Sequence, residues 1–317
     1  MKRWLPYMAV CIAMLCWSVS GIAIKNALVV LPPFTMIVMR FSLAIMVMLL
    51  VGILFRRNAT LRLQLLKKKD IPLFLLAGFF QPFLYYLLET FAYDALTSPT
   101  IAETLLSTSP LLSPFFAALL LREKVTKYNI LGIIISTIGM VLLVLVGSGH
   151  FAIGHPWGIV FAFAAVSTAV LYTVVLRRIP QTYSDLTIVF WAQLCSLVLF
   201  YLVWGVAEGS AMREFIPLFV DQVVAMESTA ITAFLSVVYL GLFASVVAFV
   251  LFCYTVRQIG VTQTNAFNNI RPVFTALWML IFFAENLPLM LASLYILKLH
   301  PSPSSKVCSV APGLMKV

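Results

Sequence analysis

Residues 100–124 read TIAETLLSTSPLLSPFFAALLLREK, and residues 262–286 read TQTNAFNNIRPVFTALWMLIFFAEN. Laid on each other at an offset of 162, Thr100 falls on Thr262, Pro110 on Pro272 and Glu123 on Glu285. Glu103 falls on Asn265 and Ser107 on Asn269, and upstream Gly78 and Gly241 match with one residue of slack. A proline followed 13 residues later by a glutamate, in two distant apolar runs, marks an internal repeat. Each run is long enough to cross roughly 30 Å of hydrocarbon at about 1.5 Å per residue.

Outward from this pair, the chain resolves into apolar segments at 5–26, 34–55, 71–93, 98–121, 126–147, 156–177, 185–206, 231–255 and 261–284, with a short tenth at 287–299. The chain is 62% hydrophobic and 10% charged, against about 45–50% and roughly 25% in soluble domains. That excludes a soluble enzyme, a disordered chain and a disulfide scaffold. Unbroken apolar runs, rather than alternation, exclude a membrane barrel. The expected fold is all-α, a polytopic membrane protein of about ten transmembrane helices in two five-helix repeats. Five is odd, so the second unit enters the membrane in the opposite sense, and the repeat is inverted. The expected units are residues 1–147 and 148–299, followed by a disordered tail at 300–317.

Charge predicts the orientation. Lys2 and Arg3, the loop with Arg56, Arg57, Arg62, Lys67, Lys68 and Lys69, the loop with Arg122, Lys124 and Lys127, and Arg177, Arg178 and Arg257 all belong to one face. The other face carries Asp94, and then the polar loop 207–230 with Glu208, Glu214, Asp221 and Glu227 against Arg213; Lys25 is the one contrary cation. The positive-inside rule then places the N-terminus in the cytoplasm, with the chain in a bacterial inner membrane. The first run follows two basic residues but is too long for a signal peptide's apolar core, so it reads as an uncleaved span. Five cysteines without a C-x-x-C motif read as apolar filler. The absence of H-E-x-x-H and of a phosphate-binding G-x-x-x-x-G-K-[ST] leaves no zinc protease and no nucleotide-driven motor. No cofactor, no nucleic-acid partner and no catalysis are expected.

Thr100-Ile101-Ala102-Glu103 through Pro110 to Leu121-Arg122-Glu123-Lys124, and Thr264-Asn265-Ala266 through Pro272 to Ala284-Glu285-Asn286, resemble the two units of the EamA-like branch of the drug/metabolite transporter superfamily. Trp17 to Lys25 resembles the family's opening helix, and Leu131-Gly132 with Ile138-Gly139 its fifth. The resemblance covers about residues 5–288. It implies movement of small metabolites through a central cavity between the units. The chain departs from the pattern after Pro288: Leu294 and Pro301 stand where the fifth-helix glycines should recur. Residues 289–317 are therefore expected to be an altered end, with a short last helix and little order beyond His300.

Ionisable groups within spans are costly and face a cavity or a partner. Arg40, Glu89 and Glu103 fall at similar depth, so an Arg40–carboxylate pair is expected to order a gate, anchor a substrate or couple a proton. Arg271 lies near the midplane beside Pro272, and that proline frees the Asn268 carbonyl. Asn265, Asn268 and Asn269 share one helix face by spacing. Trp17, Tyr85, Tyr86 and Trp191 lie inside spans, and Gln81 shares a face with Tyr85 at i, i+4. With Arg271 and the three asparagines they form the expected substrate-binding set, and interhelical packing is the alternative for each. The expected function is a secondary transporter, an exporter of small organic metabolites such as amino acids, working by alternating access. A non-transporting scaffold or lipid-related component is the alternative. The expected partners are a small-molecule substrate and the lipid bilayer, and no feature of the chain indicates an oligomeric state.

Overall fold

The structure is a computed structural model describing residues 4–57, 61–96, 105–106, 108–122, 130–131, 134, 155–271, 274 and 278. The chain divides into one body over Met1–Pro272 and a second unit over Val273–Val317. The helices of the first body are α1 (Leu5–Leu28), α2 (Pro33–Leu54), α3 (Ile71–Gly78), α4 (Tyr85–Ala95), α5 (Ser109–Leu121), α6 (Pro156–Arg178), α7 (Asp185–Ala207), α8 (Gly209–Val224), α9 (Ser228–Tyr239), α10 (Ala248–Ile259) and α11 (Val261–Ala266). Wide π-wound segments, Phe79–Leu84 and Leu240–Val247, join α3 to α4 and α9 to α10.

Among the described residues, six stretches are long and apolar enough to cross a bilayer: Leu5–Leu28, Pro33–Leu54, Lys68–Ala92, Pro156–Arg178, Asp185–Ala207 and Ser228–Ile259. They coincide with the first, second, third, sixth, seventh and eighth expected spans. The ninth is described to Arg271 and at residues 274 and 278, the fourth at 105–106 and 108–121, and the fifth at three positions only. Glu103, the tenth span and the tail lie outside the described residues.

Proline sets where the helices begin. Pro6, Pro33, Pro72, Pro110 and Pro156 each occupy the first turn of a helix, where the missing N–H has no intrahelical acceptor to lose. Pro110 therefore opens α5. The stretch 207–230, expected from sequence to be a polar loop, instead contains α8. Its acids are spread among Phe215, Leu218, Phe219, Val220, Val223 and Val224, and Phe219 is buried.

The basic ends gather on one side of the body. Thr255 donates to the Pro6 carbonyl at 3.2 Å, and Arg178 to the Leu120 carbonyl at 2.7 Å. Gln64 donates to the Thr182 carbonyl at 3.1 Å. At the other side the His155 N–H meets the Ala95 carbonyl at 2.9 Å, and Glu208 caps α2. Pro32 has no capping side chain, so the Glu208 carboxylate accepts from Phe34 N at 3.0 Å and from Thr35 N and Thr35 Oγ1, both at 2.7 Å. An anion there also answers the positive end of the helix dipole. α1 thus runs away from the basic side and α6 toward it, while α2 runs toward it and α7 away.

Packing crosses the two halves throughout. α1 lies on α9 and α10, as α6 lies on α4; α2 lies on α7 and on the Leu240–Val247 segment, as α7 lies on α3 and on Phe79–Leu84. The matched glycines make the second pair of contacts. A Cβ on Gly78 would collide with the Ala192 carbonyl and come 2.8 Å from Cys195 Cβ. A Cβ on Gly241 would lie 2.8 Å from Leu43 Cδ2 and 3.2 Å from the Arg40 carbonyl. Gly78→Val and Gly241→Val are expected to destabilise by about 1–3 kcal/mol through overpacking, read as a lower melting temperature of the detergent-solubilised protein. Gly205→Ala is the control, because a Cβ there meets nothing within 4 Å. Equal melting temperatures for all three variants would contradict the close approach.

Candidate functional site

The π-wound segments widen the helical ladder, and neighbouring helices bond to the carbonyls there. Trp17 Nε1 donates to the Ala244 carbonyl at 3.0 Å, and Gln193 Nε2 to the Ser245 carbonyl at 2.6 Å. Ser196 Oγ donates to the Gly78 carbonyl at 2.6 Å. These bonds carry polar side chains of α1 and α7 into the apolar interior, beside the close approaches at Gly241 and Gly78.

Arg40 sits at the first of these places. It is 2% exposed. Its Nε donates to Ser245 Oγ at 2.6 Å and its Nη2 to the Tyr86 hydroxyl at 3.1 Å. Its guanidinium carbon lies 5.2 Å from the Phe41 ring centroid and 5.1 Å from that of Tyr86, within cation–π range. Tyr85 packs edge-on to Tyr86 with centroids 5.3 Å apart and donates to Glu89 Oε1 at 3.1 Å. Arg271 stands 5.9 Å over the Trp17 ring, and that ring packs against Phe249 and Phe252 at 5.3 and 5.1 Å. The charges of Arg40, Glu89 and Arg271 all bear on the Tyr86 hydroxyl.

The structure thus brings together six of the expected residues: Arg40, Tyr85, Tyr86, Glu89, Arg271 and Trp17. The expected Arg40–Glu89 ion pair does not form. The two adjacent tyrosine hydroxyls divide the charges, Tyr86 accepting from Arg40 and Tyr85 donating to Glu89. Glu103, the other expected partner, lies outside the described residues. Asn265 and Asn268 belong to a different contact. Asn265 Nδ2 donates to Thr173 Oγ1 at 3.2 Å, and Asn268 Nδ2 donates to Ser109 Oγ at 3.0 Å and to Asn265 Oδ1 at 3.2 Å. They tie the ninth span to α6 and α5. The winding there tightens to a 3-10 turn over Phe267–Ile270, which includes Asn269.

Trp191 is elsewhere, donating to the Gln64 carbonyl at 3.0 Å on the basic side. Gln81 lies inside the π-wound segment with extended backbone, φ −151° and ψ 127°, so the i, i+4 relation to Tyr85, which assumes a continuous α-helix, does not hold. Sequence context does not single out Ser245, a lone serine in an apolar run. Only packing at Gly241 marks it. Gln193, a polar residue beside Trp191 in the seventh span, has its Oε1 buried without a partner among the described residues.

A second constellation closes the basic side. Asp185 pairs with Arg257, which also donates to the Tyr183 and Pro180 carbonyls at 3.1 and 3.3 Å. Arg177 donates to the Arg257 carbonyl. The Tyr183 hydroxyl donates to Asp70 Oδ2 at 2.8 Å and accepts from Lys67 N at 3.0 Å. Burial, reinforced by the Asp70 carboxylate, pushes the Tyr183 phenol above its ordinary range, so it remains a protonated donor. On the opposite side a cavity of about 440 Å³ opens between α2, α7, α8 and α9, lined by Thr35, Ser42, Tyr201, Trp204, Phe219 and Phe234 among others. Among the described residues no cluster of histidine, cysteine or acidic side chains could hold a metal ion.

The chain is 26% identical over 275 residues to YetK, an uncharacterized transporter of Bacillus subtilis, covering 86% of this chain and 78% of YetK. It is 22% identical over 289 residues to an uncharacterized transporter of Archaeoglobus fulgidus, covering 91% and 93% of the two chains. A solved crystal structure shares the fold with a TM-score of 0.67 at 21% identity, over 88% of each chain. The model of the EamA-like transporter family matches residues 4–145 and again 156–298, so the chain, a membrane protein, belongs to the EamA-like transporter family.

Proposed function

We propose that the chain is a secondary transporter, an exporter of small organic metabolites such as amino acids, working by alternating access. The observation that carries this is the cluster of Arg40, Tyr86, Glu89, Ser245, Arg271 and Trp17, charged and aromatic groups drawn from both halves into the interior of apolar spans. Polar groups in such a position mark substrate paths. In this reading the two halves are inverted five-helix units. The opposite directions of α1 and α6, and of α2 and α7, support that relation, as do the matched π-wound segments. The clasp of Asp185, Arg257, Tyr183 and Asp70 seals the basic side, which by the positive-inside rule faces the cytoplasm along with the N-terminus.

Purified protein in proteoliposomes, assayed for uptake and efflux with a panel of labelled metabolites, tests the transport reading. Saturable flux is expected for at least one compound. Absence of flux for every compound would favour a scaffold instead. Arg271→Ala is expected to abolish flux without loss of membrane insertion, because removing a charge deep in a span eases insertion by roughly 2.5–3.5 kcal/mol. Wild-type flux in a well-expressed variant would make Arg271 structural.

Topology has its own test, in a background free of native cysteines. Leu65 is 87% exposed on the basic side, and Glu227 is exposed on the other. In intact cells an impermeant thiol reagent should label Glu227→Cys and spare Leu65→Cys; the reverse pattern would invert the orientation.

A further inference from the structure

We propose that the cavity between α2 and α8 is a lipid site, which takes one acyl chain of a phospholipid from the leaflet opposite the basic side. This goes beyond transport and does not rest on it. The cavity measures about 440 Å³ and is bounded by α2, α7, α8 and α9. Its α2 wall runs from Leu31 and Thr35 to Ser42. Thr35 and Ser42 stand about 10 Å apart along the helix axis at about 1.5 Å per residue. Pro33 opens that helix, so the wall lies within the depth of one leaflet's hydrocarbon, about 15 Å.

The polar atoms of the lining are already bonded. Thr35 Oγ1 donates to Glu208 Oε2 at 2.7 Å and accepts from Trp204 Nε1 at 2.8 Å. The Ser42 and Tyr201 hydroxyls bond each other at 3.1 Å. The other lining side chains, Val38, Phe219, Val223 and Phe234 among them, are aliphatic or aromatic. An internal water needs two to four polar partners, and apolar cavities take hydrocarbon instead. An amino acid, charged at both ends, would find no charged residue in this lining to answer either charge, at a high desolvation cost. The walls therefore suit an acyl chain and not the proposed substrate.

The cavity is also continuous with the surface that meets the bilayer. Along α2 the line of Thr35, Met39 and Ser42 continues at helical spacing through Met46, Leu49 and Ile53, and these last three are exposed. On α7, Val198 lies one turn before Tyr201 and is exposed too. Exposed apolar side chains along a span face lipid. Val220 and Val224 of α8 and Phe234 of α9 line the cavity and are themselves exposed, so its edge is open. α8 carries Arg213, Glu214 and Asp221 among apolar residues, the composition of a helix lying in the membrane interface. It packs on α7 and α9, and a chain held between it and α2 completes its apolar contacts. A phospholipid with its head group at the interface can lay one chain along the Thr35–Ser42–Met46 line.

Trp204 in the cavity wall supplies the readout. Full-length protein, stripped of lipid in detergent, is titrated with a phosphatidylcholine carrying one dibrominated acyl chain, which quenches a tryptophan it touches. The difference between the wild type and Trp204→Phe isolates the Trp204 signal. That signal should saturate at a single lipid per protein, and unbrominated phosphatidylcholine should restore it. Val223→Phe, which puts a ring into the cavity, should raise the lipid needed by about tenfold or more, as expected when the bound chain loses its space. Val198→Phe, on the bilayer-facing line outside the cavity, should leave the titration unchanged. Size-exclusion elution and melting temperature report folding, and should Val223→Phe not fold, Val38→Phe takes its place. Native mass spectrometry should find one phospholipid retained by the wild type and lost from the filled variant. Quenching that rises without saturation, equally in the wild type and Trp204→Phe, would overturn the site as mere contact with bulk lipid. Restoration by L-leucine but not by phospholipid would overturn it in favour of a substrate path. Restoration by oleate alone would overturn it in favour of a free fatty acid. A dimer that shields Trp204 from the probe would overturn it in favour of a second copy of this chain.

Discussion

Helices inside a bilayer gain nothing from hiding apolar surface, since lipid is as apolar as they are, so their contacts depend on how closely backbones can approach. In this chain that constraint falls on Gly78 and Gly241. Each stands where its own helix touches a partner from the other half, with Ala192 and Cys195 on one side and Leu43 and Arg40 on the other. A side chain at either position would hold the helices apart. The close approach at Gly241 sets the Arg40 backbone beside the eighth span, and the Arg40 side chain then reaches Ser245, four residues further along. The same approach brings Gln193 to the Ser245 carbonyl and Trp17 to the Ala244 carbonyl. The polar knot exists because the apolar surfaces around it fit.

Two buried arginines show how differently one fold treats a cation. Arg257, near the basic side, has a carboxylate partner in Asp185 and two backbone carbonyls besides. Its charge is answered within the protein, and the contact joins the loop before α7 to the end of α10. Arg40, deeper in its span, has hydroxyls and aromatic faces. A paired charge suits a closure that must be stable on its own. A charge held by hydroxyls and ring faces is less fully compensated. The two lie on different parts of the molecule.

Much of the candidate site is legible from residue type alone. Arg40, Glu89 and Arg271 stand out because charges inside apolar runs are rare, and the structure gathers them around Tyr86. The asparagines stand out equally by spacing, yet Asn265 and Asn268 bond to Thr173 and Ser109 between helices. Spacing cannot tell a face that lines a path from a face that grips a neighbour, because both bury polar groups. Trp191 stands apart from the Arg40 cluster: its indole N–H meets the Gln64 carbonyl, a partner 127 residues away. Gln81 shares a face with Tyr85 only where the turns are regular, and the wide winding over Phe79–Leu84 removes that relation.

Long apolar runs, the repeated proline and glutamate, and the one-sided clustering of lysine and arginine determined by themselves the all-helical membrane class, the family and the positions of six spans. These are properties of single segments meeting a bilayer, where length and transfer energy decide. Tertiary structure decided the rest: that 207–230 contains α8, that Glu208 caps α2, that Ser245 and Gln193 join the Arg40 knot, and that Arg40 takes hydroxyls instead of Glu89. Each of these depends on which residues from distant segments share one small volume. Local spacing carries no record of that, because it is set by backbone approach between helices far apart in the chain, such as the 205 residues that separate Arg40 from Ser245.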